Sequence, residues 1–149
     1  MAYTTVLGAT ATSGHLNYCQ RLQAGSDITN TIYWSLLTSA TPANDATTLT
    51  APGFGFRYAA SVGTHWYACY YNGSNTCVDT GVTVTASGEY LLCAYQTGSN
   101  LLTFAVNGLV TNTAATVSTL SNAYPLVWVD ATSGTLKALG VGPTTVESE

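Results

Sequence analysis

The chain has 149 residues, 46% of them hydrophobic and only 7% charged, with a formal net charge of −4. Arg21, Arg57 and Lys137 are its only basic side chains, too few to follow a phosphate backbone, which excludes nucleic acid as a direct ligand. No apolar run reaches the roughly 18–20 residues of a membrane span, and ten Tyr, three Trp and three Phe set the chain apart from disordered sequences.

Residues 1–13, MAYTTVLGATATS, are β-prone at first and then decay into small polar residues. They are read equally as an edge strand and as an extended N-terminal arm laid on a neighbouring subunit. They lack a basic stretch followed by an apolar core, so no secretory leader is expected and folding in a cytoplasm is. Residues 15–22 are left open between a short strand and a helical turn. Residues 31–37, TIYWSLL, form a strand with Ile32, Trp34 and Leu36 on one face. The Ser/Thr/Ala/Asn/Pro-rich stretch 38–52 reads as a long loop and a candidate contact surface. Residues 53–60 return as a strand with Phe54, Phe56 and Tyr58 on one side and Arg57 on the other.

Residues 64–71, THWYACYY, and 76–79 flank the turn formers Asn72-Gly73-Ser74-Asn75. A three-residue loop, 72–74, would set Cys69 opposite Cys77. A two-residue loop would set Tyr70 there and send the thiols to opposite faces. Cytoplasmic folding favours free, buried thiols for all four cysteines, Cys19, Cys69, Cys77 and Cys93. Residues 82–85 make a further short strand, 124–129 a strand with Pro125 near its start, and 135–141 another, which Gly142-Pro143 ends before a polar tail.

The central element is the hairpin 89–108. With Thr97-Gly98-Ser99-Asn100 as its loop, Leu91, Cys93, Tyr95, Leu102, Phe104 and Val106 share an apolar face, and Glu89 turns outward only through a bulge or frayed end. Asn107-Gly108 supplies the following tight turn, and Leu109-Val110 continue beyond it. A two-stranded ribbon is marginal alone and needs a second sheet over that face. Nine or ten short strands without a helix make the expected fold all-β, a two-sheet antiparallel sandwich in one domain over residues 1–149.

The run Phe104-x-Val106-Asn107-Gly108, with Val78-Asp79-Thr80-Gly81, Gly88-Glu89-Tyr90, Gly53-Phe54-Gly55-Phe56-Arg57-Tyr58 and Tyr124-Pro125-Leu126, resembles the concanavalin A-like jelly rolls of accessory proteins in tailed-phage virions. The resemblance covers residues 49–141. It implies a non-enzymatic capsid decoration or cement protein that bridges capsid subunits, with the major capsid protein as partner, homotrimers at the shell and a virion location after assembly in the host cytoplasm. The low charge agrees, because a nearly neutral surface favours association. The contact surfaces are then the arm and the loop, through Tyr3, Val6, Leu7, Thr41, Pro42, Asn44 and Thr48.

The alternative is a head-fibre or tail-fibre module binding host surface carbohydrate. The aromatics Trp66, Tyr67, Tyr70, Tyr71 and Trp128 would stack on sugar rings if exposed, with Trp66, Tyr70 and Tyr71 as the lead contacts. A cellular lectin-like domain is a third reading. Catalytic residues, metal ligands and cofactors are not expected. Retaining glycosidases need two carboxylates about 5–5.5 Å apart, yet among Asp27, Asp45, Asp79, Glu89, Asp130, Glu147 and Glu149 the only close pair is Glu147/Glu149, in the polar tail. His15 and His65 have no acid close in sequence, and four scattered cysteines with two histidines do not make a zinc site.

Overall fold

The computed structural model describes residues 3–4, 16–40, 47–97, 101–115, 120, 123–131 and 137–148. Among these residues eleven strands, β1 (Tyr3–Thr4), β2 (Leu16–Ala24), β3 (Thr31–Thr38), β4 (Gly53–Ala59), β5 (His65–Tyr71), β6 (Asn75–Thr83), β7 (Glu89–Thr97), β8 (Leu101–Val106), β9 (Leu109–Ala115), β10 (Tyr124–Ala131) and β11 (Leu139–Ser148), form two antiparallel sheets. The six-stranded sheet runs β1-β10-β3-β4-β5-β6, and the five-stranded sheet runs β11-β2-β7-β8-β9. The expected all-β sandwich is the fold.

The main core lies between the sheets. Phe54, Phe56 and Tyr58 of β4 and Trp66 and Ala68 of β5 face Tyr18 and Leu22 of β2, Tyr90, Leu92 and Ala94 of β7, and Leu102, Phe104 and Val106 of β8. Phe56 meets Phe104 edge-on at 5.6 Å, and Trp66 meets Tyr90 at 5.5 Å, so aromatic edge-to-face pairs join the two sheets. Within this core the Tyr18 hydroxyl is hydrogen-bonded to the Ser35 hydroxyl at 2.9 Å and so joins the two sheets. Burial raises the Tyr18 pKa above its ordinary value.

The central hairpin differs from expectation by one residue. Thr97 opposes Leu101, so three residues lie between the strands and Leu92, Ala94 and Phe104 turn to the core. A slip of one flips every side chain of β7. Leu91, Cys93 and Tyr95 therefore leave the predicted face, and exposed Glu89 points outward without a bulge. Asn107 and Gly108 take φ values of 53° and 81°, the mirror-image turn that suits a right-twisted hairpin. The Asn107 side chain accepts the Leu91 backbone N–H at 2.8 Å and fastens this turn to β7.

Three further expectations are corrected. The predicted strand at 82–85 is not a separate element: residues 82 and 83 end one long β6, and 84 and 85 lie beyond it. Gly142-Pro143 do not stop the last strand: they form a bulge between Val141 and Thr144, and β11 continues to Ser148. Buried Gln20 holds that bulge, donating to the carbonyls of Gly142 and Pro143 and accepting from Thr144. The cysteines are not free. Cys19–Cys93 and Cys69–Cys77 are both bonded, each between directly opposed residues of neighbouring strands with Cα atoms 4.1 Å apart. The first became possible when Cys93 turned away from the core, and the second follows from the three-residue loop 72–74.

On chain-entropy grounds a bond spanning 74 positions restricts the unfolded chain by about 4.5 kcal/mol, and one spanning 8 by about 2.5 kcal/mol. Replacing Cys19 and Cys93 together by alanine should lower unfolding free energy more than replacing Cys69 and Cys77. Urea denaturation of both double variants, beside the oxidised and reduced parent, measures this. Equal midpoints with and without reductant would show that neither bond supports the fold.

Candidate functional site

The outer face of the six-stranded sheet, turned away from the five-stranded one, carries its own apolar cluster. Ile32, Trp34, Leu36, Ala59, Cys69 and Leu126 are buried there, with Tyr67, Tyr71, Cys77, Tyr124 and Trp128 half-buried around them. Register makes the arrangement orderly. Trp128 opposes Trp34, Trp34 opposes Arg57, Arg57 opposes Tyr67, and Tyr67 opposes Asp79. One row, Trp–Trp–Arg–Tyr–Asp, thus crosses five strands on one face. The neighbouring row is apolar, Leu126, Leu36, Gly55, Cys69 and Cys77, and the Cys69–Cys77 bond ties β5 to β6 within it.

Arg57 sits at the centre, only 5% exposed. Its guanidinium carbon lies 4.9 Å from the Tyr67 ring centre and 5.9 Å from that of Trp34, within cation–π range. Its Nη1 donates to the Thr47 carbonyl. Desolvation lowers its pKa from the ordinary arginine value. Thr47 belongs to a strap, residues 47–50, that crosses this face: Leu49 is buried in the outer cluster, and its N–H donates to Asn75 of β6 at 2.7 Å. The base of the long loop is pinned where Ser39 N–H donates to the Pro52 carbonyl at 3.0 Å. The Tyr67 hydroxyl occupies room left by Gly63, where a β-carbon would lie 2.8 Å from it.

At the β6 end of the row, His65 Nδ1 lies 3.0 Å from both carboxyl oxygens of Asp79. Asp79 also accepts the Gly81 backbone N–H at 2.7 Å. These bonds, His65 first, hold its carboxyl below the usual carboxylate range. Fourteen residues separate this pair, so only the hairpin makes it visible. Among the described residues the acids on this face are Asp79 on β6 and Asp130 on β10, four strands apart, roughly 19 Å at the usual strand spacing. That is beyond the about 5–9.5 Å of paired glycosidase carboxylates. Among the described residues no three His, Cys, Asp or Glu side chains gather as a metal site.

Of the predicted sugar contacts, Trp66 is corrected: it is fully buried in the inter-sheet core, and its ring reaches no ligand. Tyr70 is also corrected, since it packs against that same core opposite Phe54. Tyr71, Tyr67 and Trp128 are on the outer face. Of the predicted partner contacts, Thr48 is exposed on the strap. The backbone of Tyr3 pairs with Val127 at the sheet edge. Val6, Leu7, Thr41, Pro42 and Asn44 lie outside the described residues.

No family model matches the sequence, and no curated protein matches it. Solved structures do. An alginate lyase, AlgAT5, of polysaccharide lyase family 7 is similar at 11% identity and a TM-score of 0.57, over 92% of this chain and 60% of its own. The carbohydrate-binding module CBM66 from Bacillus subtilis is similar at 10% identity and 0.58, over 91% and 76%. The galectin LEC-6 of Caenorhabditis elegans is similar at 12% identity and 0.57, over 97% and 90%. The chain folds as a concanavalin A-like jelly roll. At these identities the likeness is one of fold, shared by enzymes and non-enzymes, and the chain spans less than two thirds of the lyase.

The depressed Asp79 pKa has a consequence for stability. A carboxyl whose folded pKa lies below its unfolded value contributes stability fully present above about pH 4, and lost as pH falls through the folded value. Asp79 is 48% exposed, so the contribution is a surface one, below about 1 kcal/mol. Asp79→Asn should therefore destabilise slightly at pH 6 and not at pH 2, by thermal unfolding. A difference undiminished at pH 2 would trace the effect to something other than the carboxylate.

Proposed function

We propose that the protein is a non-enzymatic carbohydrate-binding domain whose ligand lies across the outer face of the six-stranded sheet. The observation that carries this reading is the Trp128–Trp34–Arg57–Tyr67–Asp79 row, with half-exposed rings on both sides of a buried cation. Trp128 and Tyr67 are three strands apart, roughly 14 Å, a span for a short oligosaccharide. Aromatic faces meet the C–H side of sugar rings, while Asp79, His65 and the Tyr67 hydroxyl offer hydrogen-bonding rims. The wide separation of Asp79 and Asp130 favours binding without hydrolysis, and the resemblance in fold to a carbohydrate-binding module and a galectin is in keeping with it.

A second reading is a tailed-phage virion protein, either a capsid decoration protein meeting the major capsid protein as a homotrimer or a fibre module carrying the same glycan face. The motif run around Phe104 to Gly108 supports it. So do the exposed side chains of Leu91, Leu101, Leu109 and Val110 on the five-stranded sheet in a chain only 7% charged. Two disulfides suit a working life outside a reducing cytosol.

A glycan array on the folded protein tests the first reading. Binding should fall about tenfold or more, some 1.4 kcal/mol, in Trp128→Ala with an unchanged circular dichroism spectrum. A blank array for the parent would sink the carbohydrate reading. Trimers that pellet with empty capsids would then speak for the decoration role.

A further inference from the structure

The centre of the ligand face holds a charge without a counter-charge. Arg57 is buried and, among the described residues, has no carboxylate partner. Among the described residues its guanidinium donates one hydrogen bond, from Nη1 to the Thr47 carbonyl, and its Nε is buried with no partner. Two aromatic rings compensate it in part. A buried cation held by one neutral acceptor and two ring faces is expensive to keep, and leaving an Nε–H unmatched adds to that. Lysine or leucine would fill much of the same space. What only arginine offers is a planar fork with a second, parallel pair of donors. With Nη1 committed to Thr47, the edge led by Nε remains for a planar oxyanion.

We propose that Arg57 reads the carboxylate of an acidic saccharide, so that the ligand of this face is a uronic-acid-containing oligosaccharide whose neighbouring rings rest on Tyr67 and Trp128. This rests on the carbohydrate reading and narrows it. The carboxylates on the face do not oppose an anion at its centre. Asp79 and Asp130 are each two strands from β4, roughly 10 Å, about one Debye length at physiological salt, and Asp79 is already bonded to His65 and Gly81. A contact under 4 Å to the guanidinium outweighs them. The strap is tied to Arg57 by the Thr47 carbonyl, so a carboxylate reaches the cation by crowding or displacing a single neutral acceptor.

Calorimetric titration of the intact, oxidised protein with trigalacturonate, cellotriose and a sulfated galactan trisaccharide tests this. The expected result is that trigalacturonate binds, that cellotriose binds at least tenfold more weakly, and that Arg57→Gln weakens trigalacturonate about 10- to 100-fold, a clearly larger loss than it causes for cellotriose. Arg57→Lys, which keeps the charge and loses the fork, should recover only part of the affinity. Its thermal midpoint, with that of Arg57→Gln, reports whether the fold survives. Should neither variant fold, competition by free guanidinium-blocking acetate against trigalacturonate, absent for cellotriose, gives the same information on the parent protein. Preference for cellotriose overturns the acidic-ligand inference and leaves the carbohydrate reading standing. Preference for the sulfated sugar overturns the carboxylate assignment. Binding to none of the three, with a blank array, overturns both.

Discussion

A sheet that is apolar on both faces must be covered on both, and that requirement governs this molecule. All eight residues of β3 and all seven of β4 are buried. One face rests on the five-stranded sheet. Over the middle of the other, among the described residues, lies the strap of residues 47–50, with half-buried residues around it. Central strands of a sandwich usually alternate apolar and polar residues, because one face meets water. Here Ile32, Trp34 and Leu36 on the outer face match Tyr33, Ser35 and Leu37 on the inner one. The scarcity of charge follows: few outward positions of these strands are wet enough to hold one, and the cation that does stand there is enclosed by rings.

Much of the fold was legible because alternation needs no knowledge of partners. The bounds of β3 and β4, the separation of Arg57 from Phe54, Phe56 and Tyr58, and the Asn107-Gly108 turn were all readable from the chain. What failed depended on loop parity. Counting Thr97 into the loop placed Leu91, Cys93 and Tyr95 inward. Glu89 held the signal against it, since it shares their face and needed a bulge only under that register. The cost of burying a carboxylate should have outweighed the appeal of a uniformly apolar stripe. Both disulfides follow once the two hairpins have three-residue loops. The sequence also offered no way to choose between Trp66 and Tyr67 as the outward ring. Strand direction alone separates them, and it is decided by the inter-sheet contact of Trp66 with Tyr90. The row across the outer face is a product of register over five strands, and no local pattern announces it.

Several polar groups inside this structure do identifiable work. Tyr18 and Ser35 answer one another across the core. Gln20 satisfies carbonyls that the β11 bulge would leave bare. Tyr90 accepts the Thr85 N–H at 2.8 Å and fixes the turn that leads into β7. Such pairings narrow the number of ways two apolar sheets can slide over one another, which hydrophobic contact alone does not. Arg57 Nε, like Trp66 Nε1 and Asn112 Oδ1, is buried without such a partner, and of the three it alone belongs to a charged group.

The Cys19–Cys93 bond also changes how the chain would carry a load. Tension applied at the two ends passes from β2 directly to β7 through sulfur and bypasses the 74 positions between them. Strands β3, β4, β5 and β6, which hold most of the ligand face and the second bond, lie inside that closed loop. At about 3.4 Å per residue, some 250 Å of contour stays hidden from the pulling force. A domain tethered at its ends in flowing liquid would keep those four strands unloaded while its outer strands, β1, β10 and β11, peeled away first.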